Sequence, residues 1–330
     1  MLLRSALCLF TALLAGCATH GIRVPVMRPA PVNLVQFERV AVDRFEGDGC
    51  EPFSDELAEA LGAAENPLNG RTAFQVLHRA QIDRAIDDLR GRRSDAADQE
   101  MMELLQRWRT AQIVLSGFVE DHGVQEEIVD ELVKARDGTQ HPVRVRRTAA
   151  RVCVQLRATD FDGGRVFDEV QLRGAASAQT RAEDGEPAPI DPIRLLAAAR
   201  AQAVQSYLQR VLPHRVYVEV ALYTDGDVPD LQVGNGYAEA GNWPLAAESY
   251  RRALDAMTGE LAEVRYKALF NLGVAHEFLD QFDDARKSLQ EAYAIGQERM
   301  ILDEIRRVEQ REQEVRRLRE QAGDPAGPAR

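Results

Sequence analysis

The side chains best suited to chemistry in this sequence are thiols, imidazoles and carboxylates, and their spacing decides what they can do. The six histidines are scattered without the spacing of metal ligands. No phosphate-binding glycine loop, HExxH helix, CxxC pair or nucleophile elbow is present. Carboxylate pairs such as Asp87 and Asp88 are common, as expected for the solvated faces of an acidic chain. We therefore expect no enzyme activity, metal or bound cofactor.

Cys17 has the most specific chemical context. It follows Leu14–Gly16 and a short apolar run that has one positive charge before it. This order resembles the lipobox of bacterial lipoproteins, in which the cysteine is acylated and becomes the new N-terminus. The run is shorter than the roughly 20 residues of a membrane-spanning helix, so we expect a covalent lipid on Cys17 to be the anchor. The alternative is an ordinary secretory signal cut near Ala18.

The residues that follow Cys17 bear on its destination. In the lipoproteins that it resembles, aspartate after the cysteine favours inner-membrane retention, and Ala18 stands there in this chain. The resemblance therefore implies an outer-membrane protein that faces the periplasm. We assign residues 1–16 to the signal peptide. Residues 17–35, with Pro25, Pro29 and Pro31, are assigned to the lipidated cysteine and an extended tether.

The charge of the chain excludes one class of partner. The formal net charge is −12, and it becomes −13 (40 basic and 53 acidic residues) once the signal peptide with Arg4 is removed. Such a chain is a poor nucleic-acid binder. We expect its partners to be proteins of the cell envelope, and the membrane through the lipid.

Two cysteines, Cys50 and Cys153, remain after Cys8 leaves with the signal peptide and Cys17 is modified. In an oxidising compartment they could form one disulfide. They could equally be two unpaired small residues, because no spacing rule links them.

Two hydrophobic periodicities divide the mature chain. Residues 36–225 alternate strand and helix patterns, which predicts an α/β domain with a mixed sheet and flanking helices. The predicted strands are Glu38–Phe45, Phe74–Leu77, Ile113–Val119, Arg151–Thr159, Val166–Leu172 and Arg215–Leu222. Helices are predicted from Pro52, around Ile82, from Ser94, and over residues 192–212.

The rest of the chain is helical and repeats itself. Residues 226–297 resemble two tetratricopeptide repeats, so we predict an all-α tetratricopeptide-repeat domain after the α/β domain. The motif positions are Val233, Gly234, Tyr237, Gly241, Trp243, Ala246, Tyr250 and Ala253, then Leu269, Leu272, Gly273, His276, Phe282, Ala285, Leu289 and Ala292. We predict a charged capping or extended helix over residues 298–322 and a disordered tail over residues 323–330.

Repeats of this kind bind partners through a concave groove that is lined by their first helices. The polar residues predicted to line it here are Asn235, Glu239, Lys267, Asn271 and Glu277.

The α/β domain resembles the CsgG-like family, which includes the curli secretion channel and penicillin-binding-protein activator lipoproteins. The matching positions are Val40–Val42 with Phe45, the helix after Phe53, Phe74–Arg79, Leu115–Gly117, and Asp160 with Gly163 and Gly164. The resemblance implies an outer-membrane lipoprotein that assembles with itself, as a homo-oligomer, or with an envelope machine.

Channel members of that family form a pore from extra hairpins, and residues 124–150 are the candidate here. Glu126 and Glu127 lie on opposite faces of any strand, as do Arg146 and Arg147, which suits lipid poorly. We expect the acidic and basic arms to pair in a soluble hairpin. The leading hypothesis is a lipid-anchored periplasmic scaffold or adaptor for envelope assembly or secretion. The alternative is a subunit of an oligomeric secretion channel.

Overall fold

The computed structural model describes residues 19–322 except 93, 135, 137 and 163. The predicted signal peptide, Cys17 and the tail 323–330 lie outside this range. The described residues form two compact units: unit 1 contains residues 19–28 and 215–317, and unit 2 contains residues 29–214 and 318–322. Among the described helices, none is both long and apolar enough to cross a membrane.

The described residues form nine strands and nine α-helices. The strands are β1 (Thr19–Arg28), β2 (Arg39–Gly47), β3 (Glu65–Asn66), β4 (Arg71–Thr72), β5 (Gln75–His78), β6 (Ile113–Lys134), β7 (Gln140–Asp160), β8 (Val166–Ala182) and β9 (His214–Tyr223). The helices are α1 (Cys50–Ala63), α2 (Arg79–Arg92), α3 (Asp95–Trp108), α4 (Pro192–Val211), α5 (Pro229–Glu239), α6 (Trp243–Ala256), α7 (Arg265–Phe278), α8 (Phe282–Gly296) and α9 (Arg299–Gln321), with a 3-10 turn at Gly259–Val264.

Unit 2 is built on a five-stranded mixed sheet, so the predicted α/β fold class is confirmed. The strand order is β5-β2-β6-β7-β8. β2 runs parallel to β5 and β6, and β7 runs antiparallel to β6 and β8. Ser94 caps α3 as predicted, because its side chain accepts a hydrogen bond from the backbone N–H of Ala97.

The two faces of this sheet differ in what covers them. Even-numbered residues of β7 from Thr148 to Ala158 are buried in a core shared with α1 and α4. α4 approaches β8 so closely that a Cβ at Gly174 would lie 1.8 Å from the carbonyl oxygen of Ala199. On the other face, α2 and α3 pack against β2, β5 and the start of β6. The odd-numbered residues of β7 from Arg147 to Arg157 remain exposed or half-buried.

Residues 124–150 form the long hairpin that the charge pattern predicts. The register places Glu127 opposite Arg147 and Asp130 opposite Arg144. The Arg144 Nε atom lies 3.1 Å from the Asp130 carboxylate, and Arg147 pairs with both Glu127 and Glu131. Each exposed pair contributes only about 0.2 to 1 kcal/mol. The backbone hydrogen bonds between β6 and β7 therefore contribute most of the hairpin's stability.

Unit 1 combines helices α5 to α8 and most of α9 with a two-stranded ribbon, β1 paired with β9. Arg215–Leu222 is a strand as predicted, but its assignment to the α/β sheet is wrong. Hydrophobic alternation predicts that a segment is a strand, and it does not identify the neighbouring strand.

The interpretation of residues 17–35 as a free tether is wrong for Thr19–Arg28. Ile22, Val24 and Val26 alternate along β1 and are all buried in the core of unit 1. Burying each such side chain stabilises the fold by about 1.5 to 3 kcal/mol, which outweighs the preference of Pro25 for an unpaired segment. The single proline is tolerated because a two-stranded ribbon leaves one edge of β1 unpaired.

The helices of unit 1 pack in sequence, α5 on α6, α6 on α7, and α7 on α8. Two glycines permit the closest approaches. A Cβ at Gly234 would lie 2.3 Å from the ring of Tyr250, and one at Gly273 would lie 2.6 Å from Leu289. The C-terminal part of the chain is therefore a helical unit in which these glycines are needed for packing.

Candidate functional site

The first candidate site is the groove predicted on the first helices of the repeats. Asn271 on α7 holds the backbone of Tyr223 at both polar atoms: its Oδ1 accepts from the N–H at 2.8 Å, and its Nδ2 donates to the carbonyl at 2.9 Å. Asn235 on α5 donates to the same carbonyl at 3.1 Å. The Tyr250 hydroxyl then donates to Asn235 Oδ1 at 2.8 Å. The end of β9 therefore occupies the position that an extended ligand would take.

Helix α7 also contacts the side chains of residues 223–225. The Tyr223 ring makes edge contacts with Tyr266 and Phe270. Lys267 Nζ lies 2.7 Å from the carboxylate of Asp225. Burial acts to raise the pKa of Asp225, but the hydrogen bond and charge of Lys267 outweigh it, so the pKa lies below its usual value. The ring of Tyr223 and the carboxylate of Asp225 therefore both have partners on α7.

The remaining two predicted groove residues also contact this chain. Glu239 lies 3.5 Å from His20 on β1. Glu277 shares a hydrogen bond with Glu304 on α9, and Glu304 also pairs with Arg307 at 3.0 Å. Burial, followed by the Glu304 charge and hydrogen bond, raises the pKa of Glu277 to about 9. Burial also raises the pKa of Glu304, so the pair favours holding a proton that the two carboxyl groups share.

The structure thus brings all five predicted groove residues into contacts with the protein's own segments. Asn235, Asn271 and Glu277 have exposed fractions of 4%, 0% and 3%. A partner could not touch these three side chains while β9 and α9 keep their places. These residue types can bind an extended backbone. In this structure the backbone that they bind is a segment of the same chain.

The two cysteines do not form the disulfide that was one of two predicted alternatives, because both are free. Cys50 begins α1 and packs with the core on the even-numbered face of β7. Cys153 points to the opposite face, where its Sγ–H donates to Glu120 at 3.2 Å. Because the sheet separates them, the thiols cannot meet.

The second candidate site is the solvent-facing side of β6–β8, which we call the outer face. It consists of the odd-numbered residues of β7 from Arg147 to Arg157 and the residues beside them on β6 and β8. At its centre, Glu120 accepts hydrogen bonds from Gln155 Nε2 at 3.1 Å and Gln171 Nε2 at 2.7 Å, besides the Cys153 thiol. Three strands therefore present one connected polar surface.

A groove of about 930 Å³ crosses the same three strands further toward the hairpin. Small side chains form its floor, with Ala149 paired to Ser177 across β7 and β8. Its lining is Gln125, Glu126, Glu127, Arg147, Thr148, Ala149, Ser177, Ala178 and Gln179. Amide, hydroxyl, guanidinium and carboxylate groups alternate here, and they can donate to and accept from an extended polar chain.

Sequence reasoning missed this surface. It treated residues 124–150 as a hairpin of paired charges and ended β8 at Leu172, whereas β8 continues to Ala182. The run Gly174–Ala178 was the available signal, because small residues along a strand leave room for another backbone to approach.

A further cleft, of about 480 Å³, lies at the carboxyl end of β2 between the starts of α1 and α2. Asp83 pairs there with Arg44 at 2.7 Å and Arg79 at 3.0 Å. The two hydrogen-bonded arginines outweigh burial and lower the pKa of Asp83. The charges of this cleft are therefore matched by one another. No group of three or more His, Cys, Asp or Glu side chains within the described ranges is arranged to hold a metal ion.

This chain has distant similarity to solved structures. No protein-family profile matches the sequence, and no curated protein matches it. Among solved structures, it is similar to a PelC dodecamer from Paraburkholderia phytofirmans, with 13% identity, 58% of this chain and 98% of that chain covered, and a TM-score of 0.25. A homolog of the neuraminyllactose-binding hemagglutinin from Helicobacter pylori is 11% identical over 56% of this chain and 88% of that chain, with a TM-score of 0.27. These values assign no family.

Proposed function

We propose that this protein is a lipid-anchored scaffold or adaptor that faces the periplasm at the outer membrane. In this role it binds partner proteins of an envelope assembly or secretion machine. The observation that carries the proposal is the outer face of β6–β8, a broad polar surface with a groove of about 930 Å³. Small residues on its floor and polar groups along its walls suit contact with another polypeptide.

A binding role fits this surface better than a catalytic one. Hydrogen bonds from Cys153, Gln155 and Gln171 lower the pKa of Glu120, so this carboxylate is a fixed acceptor at neutral pH. General acid–base catalysis would need a group that titrates near the working pH. Burial and Glu120 both raise the pKa of the Cys153 thiol, which opposes formation of a nucleophilic thiolate. We accordingly propose neither catalysis nor a bound cofactor.

The compartment follows from the sequence at Cys17 and from the resemblance to CsgG-like lipoproteins. The covalent lipid would supply membrane affinity, because two or more acyl chains anchor a protein stably. We also propose that the helix pairs α5–α6 and α7–α8 are tetratricopeptide repeats. Their glycines at the closest helix contacts support this assignment. Residues 223–225 fill the concave groove of these repeats. The repeats would therefore bind partners through their other surfaces.

Two experiments test the proposal in sequence. The first compares labelled-palmitate incorporation and membrane fractionation for the wild type and Cys17→Ala. Label in the outer-membrane fraction that is lost in the variant is the expected result. Soluble, unlabelled wild-type protein in the periplasm would remove the lipoprotein assignment.

The second experiment blocks the groove. Arginines at Ala149 and Ser177 would fill it, and the matched control is Ile193→Arg on α4, which packs on the opposite face of the sheet. Cross-linked partners captured from envelope fractions should disappear in the Ala149→Arg, Ser177→Arg variant and persist in the control. Equal capture by both variants would contradict the assigned surface.

A further inference from the structure

The distance between the proposed lipid and the folded protein is set by covalent geometry. β1 begins at Thr19, only two residues after Cys17. Two residues span at most about 7 Å even when fully extended. This inference rests on the proposed lipidation of Cys17, and it then follows that the first residue of β1 lies within that reach of the acylated residue.

β1 is fixed along its middle and at its C-terminal end, so it cannot act as a spacer. Its inward-facing side chains, Ile22, Val24 and Val26, are buried in the core of unit 1. At its C-terminal end the Met27 carbonyl accepts a hydrogen bond from Arg311 at 2.7 Å, and Arg28 pairs with Glu314 on the same helix. Releasing β1 to lengthen the link to the bilayer would break all of these contacts.

The other side of the β1–β9 ribbon is exposed. Thr19, Gly21 and Arg23 alternate with the buried residues of β1, and Arg215, Tyr217 and Glu219 do the same on β9. Tyr217 is 62% exposed, and the Arg23 guanidinium carbon lies 5.6 Å from the centre of its ring. This surface holds two arginines against one glutamate in a chain that is acidic as a whole.

We propose that in the lipidated protein the exposed side of the β1–β9 ribbon lies directly against the phospholipid headgroups. Tyr217 is then placed at the membrane–water interface, where an amphipathic aromatic ring is favoured. Arg23 and Arg215 face lipid phosphates, with which guanidinium groups form charge-assisted hydrogen bonds. The acyl chains supply affinity and the ribbon sets the orientation, so unit 1 is held at the membrane surface without a tether.

The test uses the full lipoprotein in vesicles of phosphatidylethanolamine and phosphatidylglycerol whose headgroups carry a nitroxide quencher. A fluorophore is attached at Gly21→Cys, where a side chain meets open space, in a Cys50→Ser, Cys153→Ser background. A label at Gln290→Cys, exposed on α8, is the control site. We expect much stronger quenching at residue 21 than at residue 290. Equal quenching at the two sites would overturn the proposal.

Two further variants locate the contact. A Gly/Ser insertion of about 20 residues between Ala18 and Thr19 spans roughly 25 Å on average and should lower quenching at residue 21 at least about twofold. Arg23→Ala with Tyr217→Ala should lower quenching of a second label, at Glu219→Cys on β9, while the protein still floats with the vesicles; this site is used because the covalent link to Cys17 already holds residue 21 near the headgroups. Unchanged quenching in either variant would overturn the assigned surface. Loss of flotation in the wild type would instead refute the lipidation on which the inference rests.

Discussion

The groove that α5 and α7 form in unit 1 and the outer face of unit 2 are both rich in amide and carboxylate side chains next to a strand, yet they differ in whether a partner can reach them. In the groove, Asn235 and Asn271 are buried, and their polar atoms are hydrogen-bonded to the backbone of Tyr223, to the Tyr250 hydroxyl and to each other. On the outer face, Gln155 and Gln171 bond to an exposed carboxylate and remain accessible to solvent. The same chemistry therefore stabilises the fold in one region and is available for binding in the other.

The energetic consequences of substitution differ for the same reason. A buried polar atom that loses its partner costs about 1 to 3 kcal/mol, because water cannot replace the lost bond. An exposed polar atom that loses its partner forms a hydrogen bond with water instead, so the loss in stability is small. Substitutions in the two regions should therefore range from strongly destabilising to nearly neutral.

The largest effect is expected where the covered face of β8 meets α4. Gly174→Ala would place a methyl group 1.8 Å from the Ala199 carbonyl oxygen, so the helix must move. We expect a loss of about 3 kcal/mol or more in the free energy of unfolding, measured by urea denaturation. Gly164→Ala, where a Cβ meets open space, is the control and should be nearly neutral. Similar stability for both variants would contradict the close packing.

The next effect concerns the filled groove. Asn271→Leu preserves side-chain size but leaves the N–H of Tyr223 without its partner and weakens the hold on its carbonyl. We expect a loss of about 2 to 4 kcal/mol and faster hydrogen exchange at the Tyr223 amide. Gln290→Leu, exposed on α8, should stay within about 0.5 kcal/mol of the wild type. Unaltered exchange at Tyr223 would show that the groove is not closed by this segment.

The buried carboxyl pair gives a pH-dependent contrast. Burial raises the pKa of Glu277 to about 9 from its ordinary value of 4.5. Between these values the folded state keeps a proton that the unfolded state releases, so this group lowers stability as the pH rises through the window.

Glu277→Gln should reduce that slope and stabilise the protein at pH 8, and the residual slope belongs to Glu304, whose pKa burial also raises. Arg307 and Arg311 face the pair from α9 and favour its ionised form, which keeps the gain modest. Unfolding midpoints from pH 5 to 9 measure the effect, and Glu291→Gln on α8 is the exposed control. An unchanged slope in Glu277→Gln would contradict the raised pKa of Glu277 and would assign the titration to Glu304.

The smallest effect is expected on the outer face. Gln171→Ala removes one hydrogen bond to Glu120, but water can replace it. We expect a change within about 0.5 kcal/mol in unfolding free energy. A loss above about 2 kcal/mol would show that this face is structural rather than available for binding.

Local pattern predicted most elements of this fold, and the failures concern long-range partners. Ser94 and the acidic and basic arms of the hairpin were found correctly because capping and cross-strand charge pairing depend on nearby sequence. β1 was missed although Ile22, Val24 and Val26 alternate, since prolines around them favoured a tether. The partner strand of β9 could not be predicted, because alternation carries no information on which edge a strand joins.

The candidate site was predictable only in part. Asn235, Lys267 and Asn271 were predicted to bind a partner, whereas in the structure they contact residues 223–225 of the same chain, which the sequence does not show. The outer face depends on the length of β8 beyond Leu172, where Gly174, Ala175 and Ser177 resemble a turn more than a strand.

We propose that partners bind the outer face and not the groove of α5 and α7. The most direct measurement is photo-cross-linking in cells, with a photoreactive residue placed at Gln155 or Ser177 on the outer face and, in separate strains, at Glu239 or Lys267 beside the groove. We expect cross-links to envelope proteins from residues 155 and 177 and no such cross-links from residues 239 and 267. Cross-links confined to residues 239 and 267 would contradict it and would show that the groove opens to partners.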